Sequence, residues 1–501
     1  YILIQNDVMK TVWTNEGAAL KSVILPEFMA PERTQVLELL KPSRTDSLPL
    51  SMKLTEEGRY QLKTRRYKVV ESGSDKVVFA TLLENGIQIT KDISLQSGKY
   101  YFDVAITLQN TTDSEILASY SITVANGLYP EIDKITGLAS IAGIDVGKGK
   151  TKLAHTDVKD MPYKNESVGI TMAGATNKYF AAVLKPSVNN RIAAVTSESV
   201  KNPDPFYEDD FIVDLHAKRV SILPQGERRH DYVFFLGPKN NEALTQCDGL
   251  LAISDYDFGM TRSICKVLVK ILNMFYGVIP NYGVSILLLT FLVKLVLFPL
   301  TRKSQMSMFR MQQLQPLIAK LKEKHKGDKQ KVGQEQMKLF KQHGVNPMSG
   351  CFPILLQLPV FFALFRTLQN SFEMRQAPFV SWVTDLSEPD KLLHLSFTIP
   401  FLGEWLNILP LIMGAASFVQ MKLTPKTTGD DPQARMQQKM MQMMPLIFPV
   451  ILYTFPSGLT LYWTASTLIS IGEQILIRRS VKKLDIYYKG KRVIDAKAKV
   501  K

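Results

Sequence analysis

Long apolar runs fill the second half of the chain, whereas apolar and polar positions alternate in the first half. The clearest run, from Gly283 to Leu300, has eighteen residues and one charge, which meets the length expected of a membrane-spanning helix. With four later runs it predicts spans at about 283–301, 351–371, 407–422, 441–455 and 457–477. A short run alone could be a buried core helix, but five in succession favour a polytopic α-helical membrane domain over residues 281–478.

Residues 1–256 carry the period-two pattern of β-strands. Apolar and mostly polar residues alternate along 102–109, and similar stretches occur at 210–215, 219–223 and 231–236. The dipeptide Asn85-Gly86 lies between two apolar stretches and is a strong hairpin signal, because both positions tolerate positive φ. We therefore predict an all-β antiparallel sandwich or supersandwich.

The segment that joins the two halves, 257–280, predicts an amphipathic helix lying in the membrane interface. Arg262, Lys266 and Lys270 recur every four residues, opposite a broad apolar face. That face consists of Ile264, Val267, Val269, Ile271, Leu272 and Phe275. The alternative is a sixth span, which the three charges disfavour.

Segment 303–348 predicts a helical hairpin that turns at Lys326-Gly327-Asp328. Its first apolar stripe is Met308, Met311, Leu314, Ile318 and Leu321, and its return stripe is Val332, Met337 and Phe340. The basic residues of the hairpin would form a solvated face near anionic lipid. Alternatively, flexible methionines such as Met308 and Met311 would dock nascent chains or targeting factors, with Met436 and Met440 as a second cluster in the second cytoplasmic loop, 423–440.

Charge divides the chain in the same way. The net charge is +15, yet residues 1–256 carry 29 basic and 32 acidic residues, and residues 257–501 carry 32 and 14. The excess predicts an acidic partner for the second half: lipid head groups, the ribosome surface or the acidic flanks of nascent proteins, rather than DNA.

Loop charge predicts the orientation, because basic loops face the cytoplasm. Segment 302–349 has eleven basic and three acidic residues, loop 422–440 has four and two, and the tail from Arg478 has ten and two. Loop 372–406 reverses the balance with two and five. Residues 1–256 are then outside and the tail 479–501 is inside, and we expect a signal-anchor helix to precede Tyr1 in the full gene product.

The first half shows no pattern of a catalytic or metal site. His155, His216 and His230 are scattered, HExxH and G-x-S-x-G are absent, and acidic residues cluster only at Glu208-Asp209-Asp210. Surface loops explain these residues better than a hydrolase site, and we predict neither a catalytic residue nor a cofactor. Three cysteines, Cys247, Cys265 and Cys351, make a disulfide framework improbable.

Lys294 is the most informative residue of the membrane half. A charge at the centre of a span costs about 2.5–3.5 kcal/mol on insertion scales and usually faces a bundle interior or an aqueous cavity. Lys294 precedes Arg302 by eight residues, or roughly 12 Å along a helix, a distance that snorkelling only partly covers. Thr290 lies one turn away, and the last span adds polar residues that either form ordinary interhelical hydrogen bonds or line a polar groove. These are Thr460, Tyr462, Thr464, Thr467, Ser470 and Glu473.

Short motifs follow one another through this half. They are TFLVK at 290–294, FPLT at 298–301, VNPMSGCFP at 345–353, LPVF at 358–361, RQAPF at 375–379 and FPSGLTLYW at 455–463. In this order they resemble the YidC/Oxa family of bacterial membrane protein insertases. The first half is similar in size, position and β character to the periplasmic domain of the Gram-negative members.

The resemblance implies an inner-membrane protein with a five-helix core and a positively charged groove, open to cytoplasm and lipid and closed to the periplasm. The groove takes the hydrophilic flank of a nascent membrane protein, which the protein inserts and helps to fold, alone or with the Sec translocon. Thr290, Phe361, Tyr462 and Trp463 fall at positions that the family associates with the groove or with substrate contact. Many members have arginine at position 294, and Lys294 keeps that charge without the planar fork. The basic tail would contact ribosomal RNA or anionic lipid.

Two other classes of function fit parts of the sequence. A polytopic secondary transporter would explain a buried lysine, but it usually has repeated halves, and no internal repeat is visible among the five spans. An envelope carbohydrate-binding protein with a membrane anchor would place the function in residues 1–256. Deletion of most of that region would separate this class from an insertase.

Overall fold

The structure is a computed structural model of the chain, and it divides into a β unit, Tyr1–Gly259, and a helical unit, Met260–Lys501. The residues that it describes are 1–40, 47–54, 62–129, 138–147, 150–187, 192–200, 210–325, 328–345, 352–400, 402–424, 443, 445, 447–480, 487–488 and 491–492.

Antiparallel strands build the β unit, as the alternating pattern predicted. In chain order β1 to β20 are Ile2–Gln5, Lys10–Thr14, Ala19–Met29, Val36–Leu40, Met52–Leu54, Lys68–Ser72, Lys76–Leu82, Ile87–Leu95, Tyr101–Asn110, Ile116–Ala118, Tyr120–Asn126, Ala139–Asp145, Thr151–Asp157, Tyr163–Asn165, Ile170–Thr176, Phe180–Pro186, Ile192–Val200, Asp210–Ala217, Val220–Ile222 and Glu227–Pro238. A nine-stranded sheet has the order β13-β12-β15-β16-β20-β9-β8-β7-β6, and a five-stranded sheet has the order β14-β17-β18-β11-β5. β15 of the larger sheet packs on β11, β17 and β18 of the smaller one, so the two sheets form a sandwich. A four-stranded sheet, β1-β2-β3-β4, and the pair β10-β19 complete the fold.

The predicted hairpin at Asn85-Gly86 joins β7 to β8, and Gly86 has φ +81°. A Cβ atom at Gly86 would also overlap the Thr112 methyl group, so both the conformation and the close approach favour glycine. β9 buries alternate residues as its sequence indicates. Its Phe102 packs edge-on against Trp13 and Phe234 in the core.

A lysine lies in the centre of the β unit. Lys91 is 1% exposed, and its Nζ donates to the carbonyl oxygens of Gly17 at 2.8 Å, Ala18 at 3.0 Å and Leu50 at 2.6 Å. The three acceptors match the three protons of an ammonium group. Burial lowers the pKa of Lys91 from 10.5 to about 7.

Nine helices have their bounds defined within the described residues, and two of them belong to the β unit. Those two are α1, Asn241–Leu244, and α2, Leu251–Phe258. The helical unit contains α3, Arg262–Val278; α4, Tyr282–Gln313; α5, Gln315–Lys324; α6, Lys329–Gln342; α7, Phe352–Asn370; α8, Leu409–Leu423; and α9, Ser457–Ser480. It also has the short strand pairs β21, Leu393–Ile399, with β22, Gly403–Leu406, and β23, Tyr487–Tyr488, with β24, Lys491–Arg492.

Helix α4 is longer than its apolar run. The sequence places the start of the hairpin at 303, whereas the last residue of the helix is Gln313 and Leu314 is its C-cap. At about 1.5 Å per residue its 32 residues extend roughly 48 Å. Within the described residues, α4 alone is long and apolar enough to cross a membrane, and α8 is a shorter apolar helix.

The hairpin consists of α5 and α6 and has its own small core. Leu314, Leu317, Ile318, Phe340 and Val345 form this core, and Met311 and Leu339 pack against it. Met337, predicted on the return stripe, is instead 58% exposed, so its assignment to that stripe was wrong. The predicted turn residues 326 and 327 lie outside the described residues, and Asp328 caps α6 by accepting from the backbone N–H of Lys331.

A buried carboxylate fixes the start of α8. Asp390 is 4% exposed, and its Oδ2 accepts from the backbone N–H groups of Ile408 at 2.8 Å and Leu409 at 3.0 Å. The indole N–H of Trp382 donates to the same oxygen at 3.0 Å. These bonds satisfy donors that the first turn of a helix leaves unpaired.

Candidate functional site

Lys294 lies on α4 and points towards α9. Its Nζ donates to the Ser470 hydroxyl at 2.7 Å, and the side chain is partly buried. Another side of α4 is exposed and apolar, with Phe291 57%, Leu295 58% and Val296 69% exposed. Helix α4 therefore directs the Lys294 side chain towards α7 and α9, and its apolar side faces outwards.

A small cavity surrounds this amine. It is lined by Thr290, Val293, Lys294, Leu297 and Thr301 of α4, Val360 of α7, and Tyr462 and Ser466 of α9. Its volume of about 10 Å³ has room for roughly one water molecule. The predicted residues Thr290, Lys294 and Tyr462 thus meet at one place, but the space that they enclose is nearly closed.

The predicted threonines turn their hydroxyl groups to their own helices. Thr290 donates to the carbonyl of Ile286 at 2.7 Å, Thr464 to that of Thr460 at 2.7 Å, and Thr460 to that of Pro456 at 3.1 Å. Such bonds to the residue four positions earlier satisfy a hydroxyl without a partner helix. Thr467 is also buried, at 5% exposure.

Glu473 supplies the opposite charge. It is 7% exposed, it interacts electrostatically with Lys294, and its Oε2 has no hydrogen-bond partner among the residues that the structure describes. Ser466, Ser470 and Glu473 follow at helical spacing on α9, so they form one polar stripe. A buried carboxylate with an unused oxygen, on the helix that also accepts the hydrogen bond of Lys294, is a site that a competing ligand charge can perturb.

Aromatic side chains of α7 and α9 form a cluster near this cavity. The Phe361 and Trp463 rings meet edge-on with centroids 5.0 Å apart, and Phe448 lies 5.0 Å from Trp463. Phe365 joins Phe361 to Phe455. Phe361 and Trp463 are therefore brought together, but in a packed aromatic contact rather than on the cavity wall.

The methionines predicted to contact substrates or factors fall in different places. Met308 is partly buried on the extension of α4, and Met311 packs on the hairpin core. Met436 and Met440 lie outside the described residues. Met311 therefore packs in the hairpin, as its place on the first apolar stripe indicates.

Helix α3 is less simply two-sided than its sequence suggests. It buries Cys265, Leu268 and Leu272, and Cys265 donates to the carbonyl of Ala363 on α7 at 3.4 Å. Ile264 and Val267, predicted on the same apolar face, are 41% and 57% exposed. One strip of α3 therefore packs on neighbouring helices and another remains open.

The histidines of the β unit have separate partners. His216 meets the Thr196 hydroxyl at 2.8 Å, His230 meets the Tyr120 hydroxyl, and His155 lies 3.6 Å from Asp157. Burial lowers the pKa of all three. Glu208 and Asp209 lie outside the described residues. Across the part of the chain that the structure describes, no group of three His, Cys, Asp or Glu side chains is placed to hold a metal ion.

Sequence reasoning missed five residues of the cavity wall: Val293, Leu297, Thr301, Val360 and Ser466. Spacing could have indicated three of them, because Leu297 and Thr301 follow Lys294 by three and seven residues, and Ser466 lies midway between Tyr462 and Ser470. Val360 carries no chemical signal, since an apolar residue on an apolar helix is the expected choice.

Family models match nearly the whole chain. The model of the YidC periplasmic domain matches residues 1–271, and that of the 60Kd inner membrane protein matches residues 274–484. The membrane protein insertase YidC of Geotalea daltonii is 30% identical over 495 residues, which cover 96% of this chain and 87% of the relative. That of Pelobacter propionicus is 40% identical over 309 residues, 62% of this chain and 54% of the relative.

Among solved structures, an active YidC insertase with its first transmembrane domain resolved is 20% identical. It covers 94% of this chain, the alignment spans 91% of that structure, and the TM-score is 0.37.

Proposed function

The chain belongs to the YidC family of membrane protein insertases, and on that premise we propose a five-span topology for its helical unit. α4, α7, α8, the segment 441–455 and α9 would be the spans. Their outward side chains support this placement, because Leu411 of α8, Phe418 of α8 and Leu468 of α9 are 50%, 44% and 54% exposed. Exposed apolar surface on this scale is typical of contact with lipid or a partner.

The proposed orientation follows from the loops. The α5–α6 hairpin and loop 423–440 are basic and would face the cytoplasm, whereas 372–406, with β21 and β22, is acidic and would face the periplasm together with the β unit. Helix α3 would lie in the periplasmic interface, with its open strip of Ile264 and Val267 towards lipid.

Insertion, in this proposal, takes place at the cavity around Lys294. The ammonium group attracts an acidic hydrophilic flank of the nascent protein, and the polar stripe of α9 lowers the desolvation cost of moving that flank across part of the bilayer. Burial of the apolar segment of the substrate in lipid drives the step. The residues therefore need to bind and orient a segment, and none has to make or break a covalent bond.

Entry requires α4 and α9 to separate, because the cavity has room for roughly one water. The bond between Lys294 and Ser470 and the attraction between Lys294 and Glu473 would hold the closed state. An incoming carboxylate would replace both interactions at the ammonium group. Phe361 and Trp463 would meet the apolar part of the substrate as their contact opens.

The partners of the protein are also part of this proposal. Nascent membrane proteins follow from membership in the insertase family, and we extend this to the Sec translocon, to targeting factors at the hairpin, and to the ribosome and anionic lipids at the basic tail. Residues 479–501 carry nine basic and two acidic residues, which suits ribosomal RNA or lipid phosphate.

The observation that carries this proposal is an inward-facing ammonium group, hydrogen-bonded to Ser470, on a helix whose other side is apolar and exposed. Site-specific photocrosslinking tests it. A crosslinker at Tyr462, on the cavity wall, should capture the hydrophilic flank of a ribosome-bound nascent membrane protein, and one at Leu468 on the outer face of α9 should not. Equal capture from Leu468, or equal capture of a soluble nascent chain, would contradict the proposal.

A further inference from the structure

A second cavity lies where α8 and α9 end, separate from the one around Lys294. The described residues that line it are Leu423 of α8 and Gln474, Ile475, Arg478 and Arg479 of α9. Its volume is about 280 Å³, close to the lower limit of roughly 300 Å³ for small-molecule sites. None of the described lining residues is common to the two cavities.

The polar lining of this cavity is incompletely satisfied. Gln474 is 9% exposed, and within the described part of the chain its Oε1 has no hydrogen-bond partner. A buried amide oxygen without a partner costs roughly 1–3 kcal/mol, so a ligand that donates a hydrogen bond there would recover part of this energy. Gln474 and Arg478 are four residues apart and share a face of α9. The amide and one guanidinium group therefore line the same part of the cavity.

The charge at this end of the helices is strongly positive. Arg478 and Arg479 are both exposed, and Lys422 lies beside Leu423 at the end of α8 with its ammonium group over the Phe418 ring. The carbonyl ends of the two helices oppose this with about half a negative charge each. The balance still favours an anion, and guanidinium groups bind phosphate oxygens with paired hydrogen bonds.

Apolar surface continues from the cavity along α9. Ile475, which lines the cavity, and Leu476 and Leu468 are 38%, 62% and 54% exposed. Basic groups at one level with exposed apolar side chains directly beyond them match the head group and acyl chains of a lipid. A free phosphate would use the arginines and leave the apolar surface uncovered.

We propose that this cavity binds the head group of one anionic phospholipid, with the phosphodiester on Arg478 and Arg479, a head-group hydroxyl on Gln474 and the acyl chains along Ile475 and Leu476. Phosphatidylglycerol has this chemistry. The proposal rests on the proposed membrane placement of α8 and α9, but not on the insertion mechanism.

Lipid titration of the full chain in detergent tests the site, with bound lipid counted by native mass spectrometry. Phosphatidylglycerol should bind at least fivefold more weakly to the R478Q/R479Q variant. The matched control is R302Q/K303Q, which removes two exposed charges of α4 outside the cavity and should bind as the unmodified chain does. Equal weakening in both variants would show general surface charge and overturn the proposal.

The amide is tested by a second comparison. Phosphatidylmethanol has the same phosphodiester but no head-group hydroxyl, so Gln474→Leu should weaken phosphatidylglycerol binding about threefold or more and leave phosphatidylmethanol unchanged. If this buried variant does not fold, the arginine pair still decides the question, since its side chains are exposed.

Three further outcomes would overturn the proposal. If phosphatidylcholine bound as tightly as phosphatidylglycerol, the net negative charge of the lipid would have no role in binding. Inorganic phosphate displacing the lipid at equal concentration would indicate a free-phosphate site, and a short RNA displacing it at lower concentration would indicate a nucleic-acid site. Because no insertion substrate is present, loss of lipid binding is distinguishable from failure of insertion.

Discussion

Lys294 and Glu473 interact electrostatically on facing helices, and Ser470 accepts the hydrogen bond of the amine. The carboxylate reduces the positive potential that an acidic substrate flank would meet. The sequence identified all three residues by their polarity within apolar helices. It could not identify which of them the amine contacts, because that depends on the rotation of α9 against α4.

Glu473→Gln should increase insertion of a substrate with an acidic outer tail, by roughly two- to fivefold, because it removes a competing negative charge. Insertion into vesicles with purified protein measures the effect. Glu323→Gln, on an exposed position of α5, is the matched control and should leave insertion unchanged. A loss of insertion in Glu473→Gln would show that the carboxylate instead assists the substrate.

Lys91 offers a residue-scale prediction in the β unit. Lys91→Met leaves three buried carbonyl groups without their donor, at roughly 1–3 kcal/mol each, so the β unit should lose at least about 2 kcal/mol of unfolding free energy. Pulse proteolysis across a urea series measures this loss. Lys76→Met, at an exposed surface ion pair with Glu71, should change stability far less than Lys91→Met does.

The same lysine predicts a pH dependence. Its pKa is about 7 in the folded chain and ordinarily 10.5, so between these values the unfolded chain binds more protons. The stability that Lys91 contributes is therefore present above about pH 10.5 and is lost as the pH falls towards 7. The urea midpoint of the unmodified chain should rise between pH 7.5 and 9.5 more than that of Lys91→Met, and parallel profiles would contradict this assignment.

The ends of the helices were harder to predict from the sequence than the helices themselves. The apolar run predicted the first part of α4, but its continuation to Gln313 depends on good helix formers in a polar segment, where periodicity gives no boundary. Asp390, which caps α8 from eighteen residues away along the chain, has no local signature. The β7–β8 strand pair was easier to predict, because the alternation of apolar and polar residues and the Asn85-Gly86 dipeptide are both local signals.

Close packing of α8 gives a prediction at this scale. A Cβ atom at Gly414 would lie 2.7 Å from the Pro449 ring, whereas one at Gly472 on α9 would have no atom of the described residues within 4 Å. Gly414→Leu should cost about 1–3 kcal/mol and lower the melting temperature in detergent by roughly 2–10 °C. Gly472→Leu is the matched control and should melt within about 2 °C of the unmodified chain.

For the whole molecule, the division into a β unit and a helical unit was visible in the sequence as a change of period and of charge. Membership in the insertase family, supported over both units, excludes neither a lipid site nor a role for the β unit. The small size of the cavity at Lys294 could not be predicted, because it results from side-chain packing between three helices.

Cysteine accessibility tests the proposed orientation. In a chain with its own three cysteines replaced, a cysteine at His394 of β21 should react with a membrane-impermeant reagent added from the periplasmic side. A cysteine at Lys338 of α6 should react only after the inner membrane is opened. Both original positions are exposed, so neither result depends on unfolding, and the reverse pattern would contradict the loop-charge assignment.

The central claim is that the charge of Lys294 attracts the hydrophilic flank of the substrate. Its most direct test is the insertion of a small single-span protein with an acidic outer tail by Lys294→Arg, Lys294→Ala and Lys294→Glu, with Val296→Ala on the exposed side of α4 as the control. We predict near-normal insertion by the Arg variant and the control, at least a threefold loss in Ala, a larger loss in Glu, and smaller differences with a neutral tail. Equal insertion by all variants would contradict the claim.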